Sequence, residues 1–425
     1  MLDRSKAPEV KTRRSIRFPV VQQFVLDNGI PVYAVNLGTQ DVVKLEVVYW
    51  AGRPFESQKV VARATASQVK EGSKRISGEA FSEKIDALGA TLNIPFNLDT
   101  ADFNLFSLGR YFDQILPVFA EVLIEPVFPE EELRAFIDRN SHKLKVELSK
   151  TDVLAYRQVT ERIFGADHPY GYNSFPKDYE ALERSYLVDH HRNFYHAGNM
   201  LIFISGRVND SHLKLLNREF GQLSVSPKSS FPELIRGGSG GGAERLDVPG
   251  SVQSSIRIGR PLFGRKHPDY VGVYVLNTIL GGYFGSRLME NIREDKGYTY
   301  NVYSLLDVMH GDGCLYIGAD VAHPKVVPTI REIIFEMERL KQDLVDEEEL
   351  GMVKNYLMGT FLSMLDGPFN VHDTLRTMIV EDLSVSFFEN MVEQVAAISA
   401  EDIRELAQKY LNVESMWEVV AGVFP

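Results

Sequence analysis

An arginine and a tyrosine seven positions apart, Arg293 and Tyr300, are the side chains of this sequence best suited to gripping a peptide backbone. A guanidinium donates to carbonyl oxygens through a fixed planar fork, and a phenol O–H can donate to a carbonyl or to an oxyanion. The alternative is structural: an arginine favoured by the dipole at the C-terminus of a helix, beside an interior tyrosine. The residue types alone leave both interpretations open.

The elements that must position this pair are a helix and a strand. The pattern predicts a helix over Arg287–Arg293, a break at Lys296–Gly297, and a strand over Tyr298–Tyr303 that is rich in Tyr, Thr and Val. Because side chains alternate along a strand, Tyr300 would share one face with Tyr298 and Val302. Arg293 would then lie at the end of the helix and Tyr300 within the strand.

The chain shows an internal repeat of about two hundred residues. Each half has the same predicted order of strands and helices, and the run Glu-Glu-Glu-Leu that opens a long helix at Glu130 recurs at Glu347, 217 positions later. This predicts an α+β fold of two homologous domains, each a mainly antiparallel sheet packed with helices, that face each other as a clamshell. The predicted domains are residues 1–236 and 243–425, joined by a Gly-rich linker over 237–242.

Composition excludes several classes of function. The 425 residues are 44% hydrophobic and 24% charged, without an apolar run long enough to span a membrane. The net charge of −12 argues against nucleic-acid binding, and a single cysteine excludes a Cys-rich metal site. The N-terminus does not read as a signal peptide, which favours a cytoplasmic protein; a periplasmic one is the alternative if a signal has been removed.

Several stretches resemble the pitrilysin/insulinase-type zinc peptidases, the broad family that includes the mitochondrial processing peptidases and the bc1 core proteins. They are the segment GGYFGSRL at Gly281–Leu288, IREDKGYTY at Ile292–Tyr300, and FGADHPYGY at Phe164–Tyr172. Similar stretches at Phe24–Val35 and Ala51–Glu56 extend the resemblance over nearly the whole chain.

Active members of that family carry an HxxEH zinc motif on the first helix of the first half, where two histidines bind zinc and the glutamate acts as base. Alignment on residues 60–73 puts Arg63, Ala66 and Ser67 at these positions. Arginine cannot ligate zinc, alanine offers no base, and serine is a poor ligand. The family's third ligand would fall near Lys143–Leu144, with Glu147 as the nearest carboxylate. We therefore expect neither a metal nor a catalytic residue in this chain.

In two-chain members of the family, one subunit binds the metal and the other supplies an arginine and a tyrosine that clamp the substrate. The resemblance therefore implies a zinc-less subunit that contributes Arg293 and Tyr300 to hydrolysis of peptides or unfolded segments by an HxxEH-bearing partner, with zinc in that partner. Two alternatives are an assembly scaffold like the bc1 core proteins and a stand-alone metallopeptidase with atypical ligands. Without a partner, the chain could pair with itself as a homodimer.

Overall fold

Two β-sheets, one in each half of the chain, organise the fold. The computed structural model describes residues 15–237 and 240–423. The first sheet contains β1 (Gln22–Val25), β2 (Pro31–Asn36), β3 (Val42–Tyr49), β4 (Thr91–Asn93), β5 (Ala101–Leu108) and β6 (Met200–Gly206). The second contains β7 (Gly242–Asp247), β8 (Ser254–Leu262), β9 (Val302–Val308), β10 (Gly313–Val321) and β11 (Trp417–Gly422).

The two sheets share one topology. The spatial order is β1-β2-β6-β3-β5-β4 in the first and β7-β11-β8-β10-β9 in the second. In both, the first strand of the shared pattern pairs in parallel with the last, and the other pairs are antiparallel. Strand β1 is an addition, joined to β2 by the turn at Asn28–Gly29. The predicted α+β fold with two sheets of mainly antiparallel strands is confirmed.

Helices cover both sheets and follow the same repeat. The first half contains α1 (Val61–Gln68), α2 (Gly78–Ala87), α3 (Phe112–Ile124), α4 (Glu130–Glu147), α5 (Thr151–Phe164), α6 (Pro176–Glu180), α7 (Arg184–Phe194) and α8 (Asp210–Phe220). The second contains α9 (Tyr270–Asn277), α10 (Val326–Gln342), α11 (Glu347–Met364), α12 (Gly367–Val380), α13 (Ser386–Ala397) and α14 (Ala400–Tyr410). The two Glu-Glu-Glu-Leu runs open α4 and α11, whose acidic first turns complement the helix dipole.

The halves exchange a helix. Helix α5 belongs to the first half but packs on β8 and β11, while α12 of the second half packs on β6 and β2. The apolar residues Ala155, Val159 and Ile163 of α5 pack into a buried cluster with Tyr316 and Val419. The predicted boundaries at 236 and 243 stay a prediction, and Gly238 and Ser239 of the predicted linker lie outside the described residues.

Charged groups fix α12 on the first sheet. His372 Nε2 lies 2.8 Å from Glu46 Oε2, and Nδ1 lies 2.9 Å from Ser205 Oγ; all three residues are buried. Burial lowers the pKa of His372. Burial also raises the pKa of Glu46, but the hydrogen bond from His372 and the nearby positive charges outweigh it and hold that pKa below its usual range. A neutral imidazole therefore donates to an ionised carboxylate.

A second pair joins the same two elements. Arg376 of α12 donates to buried Asp102 on β5 and to Thr100 Oγ1 at 2.9 Å. Burial raises the pKa of Asp102 to about 6, although the Arg376 charge opposes the rise. Asp102 is thus a buried acid whose principal counter-ion is Arg376.

The segment before β9 differs from the prediction. Tyr298–Asn301 is irregular, and the strand begins only at Val302. Gly297 has a left-handed φ of 59°, Tyr298 N–H donates to Ile292 O at 3.0 Å, and Thr299 Oγ1 donates to Asp320 O at 2.6 Å. The pairing of β9 with β10 ends at Val302 and Ala319. Just before Val302, these local hydrogen bonds take the place of strand pairing. The helix also differs, because Met289–Asp295 is a π-helix.

Replacing Arg376 with methionine should destabilise the protein by about 3 kcal/mol, because it leaves the Asp102 carboxylate buried without its cation. The loss should be larger at pH 8 than at pH 5, since the unpaired carboxyl is neutral at the lower pH. Urea unfolding at both pH values measures it. Lys74→Met is the matched control, because Lys74 pairs with Glu125 at an exposed site, where such pairs contribute about 0–1 kcal/mol. Equal losses in the two variants would contradict the assigned role.

Candidate functional site

The structure brings the predicted pair together. The guanidinium carbon of Arg293 lies 4.6 Å from the ring centroid of Tyr300, and 5.0 Å from that of Phe284. Tyr300 is 84% exposed and Phe284 63% exposed. The interpretation of Tyr300 as an interior tyrosine is therefore wrong, and Arg293 lies between two exposed aromatic rings.

The helix that carries Arg293 is held rigidly. Leu288 and Ile292 are fully buried under it. Arg287 forms a bidentate ion pair with Glu349 of α11, with N–O distances of 2.8 and 2.7 Å, and Asn291 donates to Glu336 of α10 at 2.6 Å. These contacts fix the backbone of the helix, so that Arg293 is presented from a stable base.

The chain around the pair is unusually wound. Two π-helical segments, Thr278–Gly282 and Met289–Asp295, flank the Tyr-Phe-Gly-Ser loop. Gly281 lies so close to β9 that a Cβ there would be 2.5 Å from the Ser304 nitrogen, so only glycine fits. Short π-helical segments are frequent at functional sites, because they rotate side chains away from the ordinary helical register.

Arg293 and Tyr300 keep free hydrogen-bonding capacity. Arg293 forms an ion pair with its neighbour Glu294 at 3.2 Å, and its side chain is one-quarter exposed. Within residues 15–237 and 240–423, no group forms a hydrogen bond with the Tyr300 hydroxyl, although bulk water can reach it. A partly exposed guanidinium and an exposed phenol that lie side by side can donate to successive carbonyl oxygens of an extended peptide.

The positions that correspond to the zinc motif also come together. Arg63, Ala66 and Ser67 lie within about one turn of α1 and line one cavity of about 260 Å³. Arg63 Nη1 donates to Tyr179 Oη at 3.2 Å. Neither Arg293 nor Tyr300 lines this cavity. The chain thus has two separate candidate sites, one in each half.

The side chains of the cavity do not fit zinc. Arg63 is a permanent cation that would repel the ion, and Ala66 has no base to offer. From α4 the cavity receives Phe136, Arg139 and Asn140. Glu147, the nearest candidate for a third ligand, lies at the end of α4 and pairs with Lys150 at 2.8 Å. A cation bound here would face arginines instead of ligands.

Elsewhere in the described residues, one group has ligand atoms close enough to share a metal: Glu46, His372 and Asp373. Lys44 already donates to Asp373. His372 is committed to Glu46 and Ser205, and these three residues are buried between α12 and the first sheet, whereas Asp373 is exposed. These contacts make the group a structural network with its own cations in place.

The histidines of the segment DHHRNFYH point to separate partners. His190 Nε2 lies 3.0 Å from Ala51 O, His191 Nε2 lies 2.8 Å from Leu123 O, and His196 Nδ1 lies 2.7 Å from Ser226 Oγ. Burial lowers the pKa of each, and for His190 to about 4. They are neutral structural groups near pH 7.

A protonatable glutamate lies beside the cavity. Glu56 accepts from the Tyr172 hydroxyl, and its Oε1 accepts from Ala62 N–H on α1 at 3.0 Å. Burial raises its pKa to about 7, while the Tyr172 hydrogen bond and the Arg53 charge oppose the rise. Near neutral pH this carboxyl is therefore only partly ionised.

Sequence comparison matches residues 181–357 to a family described as "Peptidase M16 inactive domain". The chain is 21% identical over 355 residues to "Uncharacterized zinc protease YmxG" of Bacillus subtilis, which covers 82% of this chain and 85% of that protein. It is 22% identical over 370 residues to "Non-peptidase homolog YmxG" of Helicobacter pylori, with 85% and 84% covered.

Two solved structures have a similar fold. The peptidase M16 inactive domain from Pseudomonas fluorescens superposes with a TM-score of 0.87 at 25% identity, over 95% of this chain and 98% of that one. A protease from Helicobacter pylori gives a TM-score of 0.88 at 18% identity, over 95% and 100%. At 18% identity, this second similarity is one of fold alone.

These findings confirm the resemblance to insulinase-type zinc peptidases: the chain is similar to M16 proteins in sequence and in fold. The matching family is described as inactive and one relative is named a non-peptidase homolog, and this chain has Arg63, Ala66 and Ser67 at the positions of the zinc motif. No helix of the described residues is long and apolar enough to cross a membrane.

Sequence reasoning missed two arginines of the cavity, Arg53 and Arg139. They approach α1 from the segment before it and from α4, so no local spacing connects them. Arg53 does lie in the stretch Ala51–Glu56 that resembles the family, which was the one signal available.

Replacing Glu56 with glutamine tests its raised pKa. The folded protein binds this proton up to about pH 7, whereas the unfolded chain releases it near the ordinary value of 4.5. Its contribution to stability is therefore present below pH 4.5 and is lost as the pH rises through 7. The difference in melting temperature, Glu56→Gln minus the parent, should therefore be more positive at pH 8 than at pH 5. The exposed Glu79→Gln is the control, and a pH-independent difference for Glu56→Gln would contradict the assignment.

Proposed function

We propose that this chain is the non-catalytic subunit of a heterodimeric M16-type zinc peptidase and that it binds the substrate of an HxxEH-bearing partner. Hydrolysis would occur in the partner, which would hold the zinc. This chain would contribute a positioned arginine and tyrosine. The substrate class is a peptide or an unfolded polypeptide segment.

The observation that carries the proposal is the exposed contact between Arg293 and Tyr300 at 4.6 Å. A surface tyrosine that merely filled space would bury its ring, yet Tyr300 is exposed while the helix before it is anchored by buried residues and ion pairs. In this role Tyr300 donates to the scissile carbonyl or its oxyanion, and Arg293 holds a neighbouring carbonyl.

A stand-alone metallopeptidase is a weaker candidate. The cavity on α1 presents arginines where ligands would be needed, and in the Glu46–His372–Asp373 group His372 already bonds to Glu46 while Asp373 accepts from Lys44. A scaffold without any role in peptide hydrolysis is the stronger rival, since one relative is named a non-peptidase homolog. The two functions differ in what Tyr300 does.

Replacing Tyr300 with phenylalanine should lower the kcat/KM of the complex by about 100-fold, the typical effect of removing one donor to an oxyanion. Arg293→Lys should mainly raise KM, because an ammonium keeps the charge but lacks the planar fork. The measurement is cleavage of a quenched fluorescent peptide by this chain mixed with an HxxEH-bearing relative encoded beside it.

Tyr298→Phe is the matched control, since Tyr298 lies two positions earlier and its ring centroid is 4.5 Å from Lys325 Nζ. Size-exclusion chromatography must show that each variant still assembles. Full activity in Tyr300→Phe would contradict the clamp. No activity in any mixture would favour the scaffold, and chelator-sensitive activity in the isolated chain would favour a stand-alone enzyme.

A further inference from the structure

Three arginines converge on the cavity beside α1. Arg53, Arg63 and Arg139 all line it, from the segment before α1, from α1 itself and from α4. The guanidinium carbons of Arg53 and Arg63 lie 5.6 and 5.4 Å from the centroid of the same ring, Phe96. Two like charges on one aromatic ring repel each other, so the arrangement favours a bound anion.

The protein does not supply that anion itself. No aspartate or glutamate lines the cavity. Among the described residues, none of the three arginines has a carboxylate oxygen within 4.0 Å; Arg53 instead donates to Pro169 O at 3.2 Å and Arg63 to the Tyr179 hydroxyl. Glu56, the acidic neighbour of Arg53, already accepts from Tyr172 and Ala62. This concentration of positive charge is notable in a chain of net charge −12.

The cavity also has apolar walls. Ile94, Pro95, Phe96 and Phe136 supply apolar surface around a space of about 260 Å³. Asn97 and Asn140 also line the cavity, but their amide nitrogens already donate to Asp102 and to Phe136 O. A lone inorganic ion would leave the apolar walls uncovered, whereas an anionic group attached to a small apolar body would cover them and reach the guanidinium groups.

We propose that this cavity binds the carboxylate of a peptide, with a guanidinium fork on the carboxylate and the adjoining side chain against Phe96 and Phe136. Arginine pairs with carboxylates through two parallel hydrogen bonds, which gives direction as well as strength. The site lies where the zinc motif of active relatives would lie, and it replaces a metal with fixed positive charge. It goes beyond the substrate clamp and needs neither Arg293 nor a partner chain.

Calorimetric titration of the isolated chain tests the site. The probes are acetyl-Ala-Ala-Phe with a free carboxylate, the same tripeptide with a C-terminal amide, and inorganic phosphate. The free acid should bind at least about 10-fold more tightly than the amide, as expected for hydrogen bonds to a charged group. Its affinity should fall as sodium chloride is raised. Equal affinity for acid and amide, or binding of phosphate alone, would overturn the proposal.

Variants locate the binding. Arg139→Gln, on the exposed side of α4, should keep the fold and weaken the free acid about 10-fold, and Arg63→Gln should weaken it at least as much. Arg75→Gln, at an exposed arginine outside the cavity, should bind as the parent does. Unchanged binding in folded Arg139→Gln and Arg63→Gln would overturn the assignment. The two proposals can fail separately. If the tripeptide acid does not bind but Tyr300→Phe still lowers peptide cleavage, only the carboxylate site is overturned. If the acid binds but Tyr300→Phe has no effect on cleavage, only the substrate clamp is overturned.

Discussion

The first sheet meets α12 of the other half through buried polar and charged side chains, and these contacts must be satisfied for the halves to join. A buried charge without a partner costs several kcal/mol, so Glu46, Asp102 and Lys44 each require a group from α12. Helix α12 supplies His372, Asp373 and Arg376 within two turns. The rest of the fold depends on this register, because a shift of α12 by one residue would break all three pairs together.

The exchange of α5 and α12 leaves the other face of each sheet for the helices that carry the candidate sites. Strands alternate their faces, so Val47 and Phe103 pack under α1 while their neighbours Glu46 and Asp102 face α12. Helix α1 and the segment 270–295 occupy the same place in the repeat, between corresponding strands. In the first half this position holds the arginine-lined cavity, and in the second half it holds the helix that carries Arg293 beside Tyr300.

The sequence predicted what local patterns determine. The Asn28–Gly29 turn, the acidic starts of α4 and α11, and the alignment of Arg63, Ala66 and Ser67 on one helix face all follow from short-range rules. The failures are non-local. Side-chain hydrogen bonds from Thr299 replaced a predicted strand, and π-helices displaced a regular one. The pairing of Glu46 with His372, across 326 positions, has no signal in either segment.

The cavity on α1 is informative because it is costly. A protein with no use for this space could fill it with apolar side chains and gain stability from packing. Instead, Arg53 and Arg63 share the ring of Phe96 without a carboxylate oxygen within 4.0 Å among the described residues, and Glu56, the acidic neighbour of Arg53, holds its proton to about pH 7. Like charges kept together without a counter-ion mark a place where stability is given up for binding. Where the zinc motif of active relatives would lie, this cavity carries fixed positive charge, so the proposed ligand is an anion and not a metal cation.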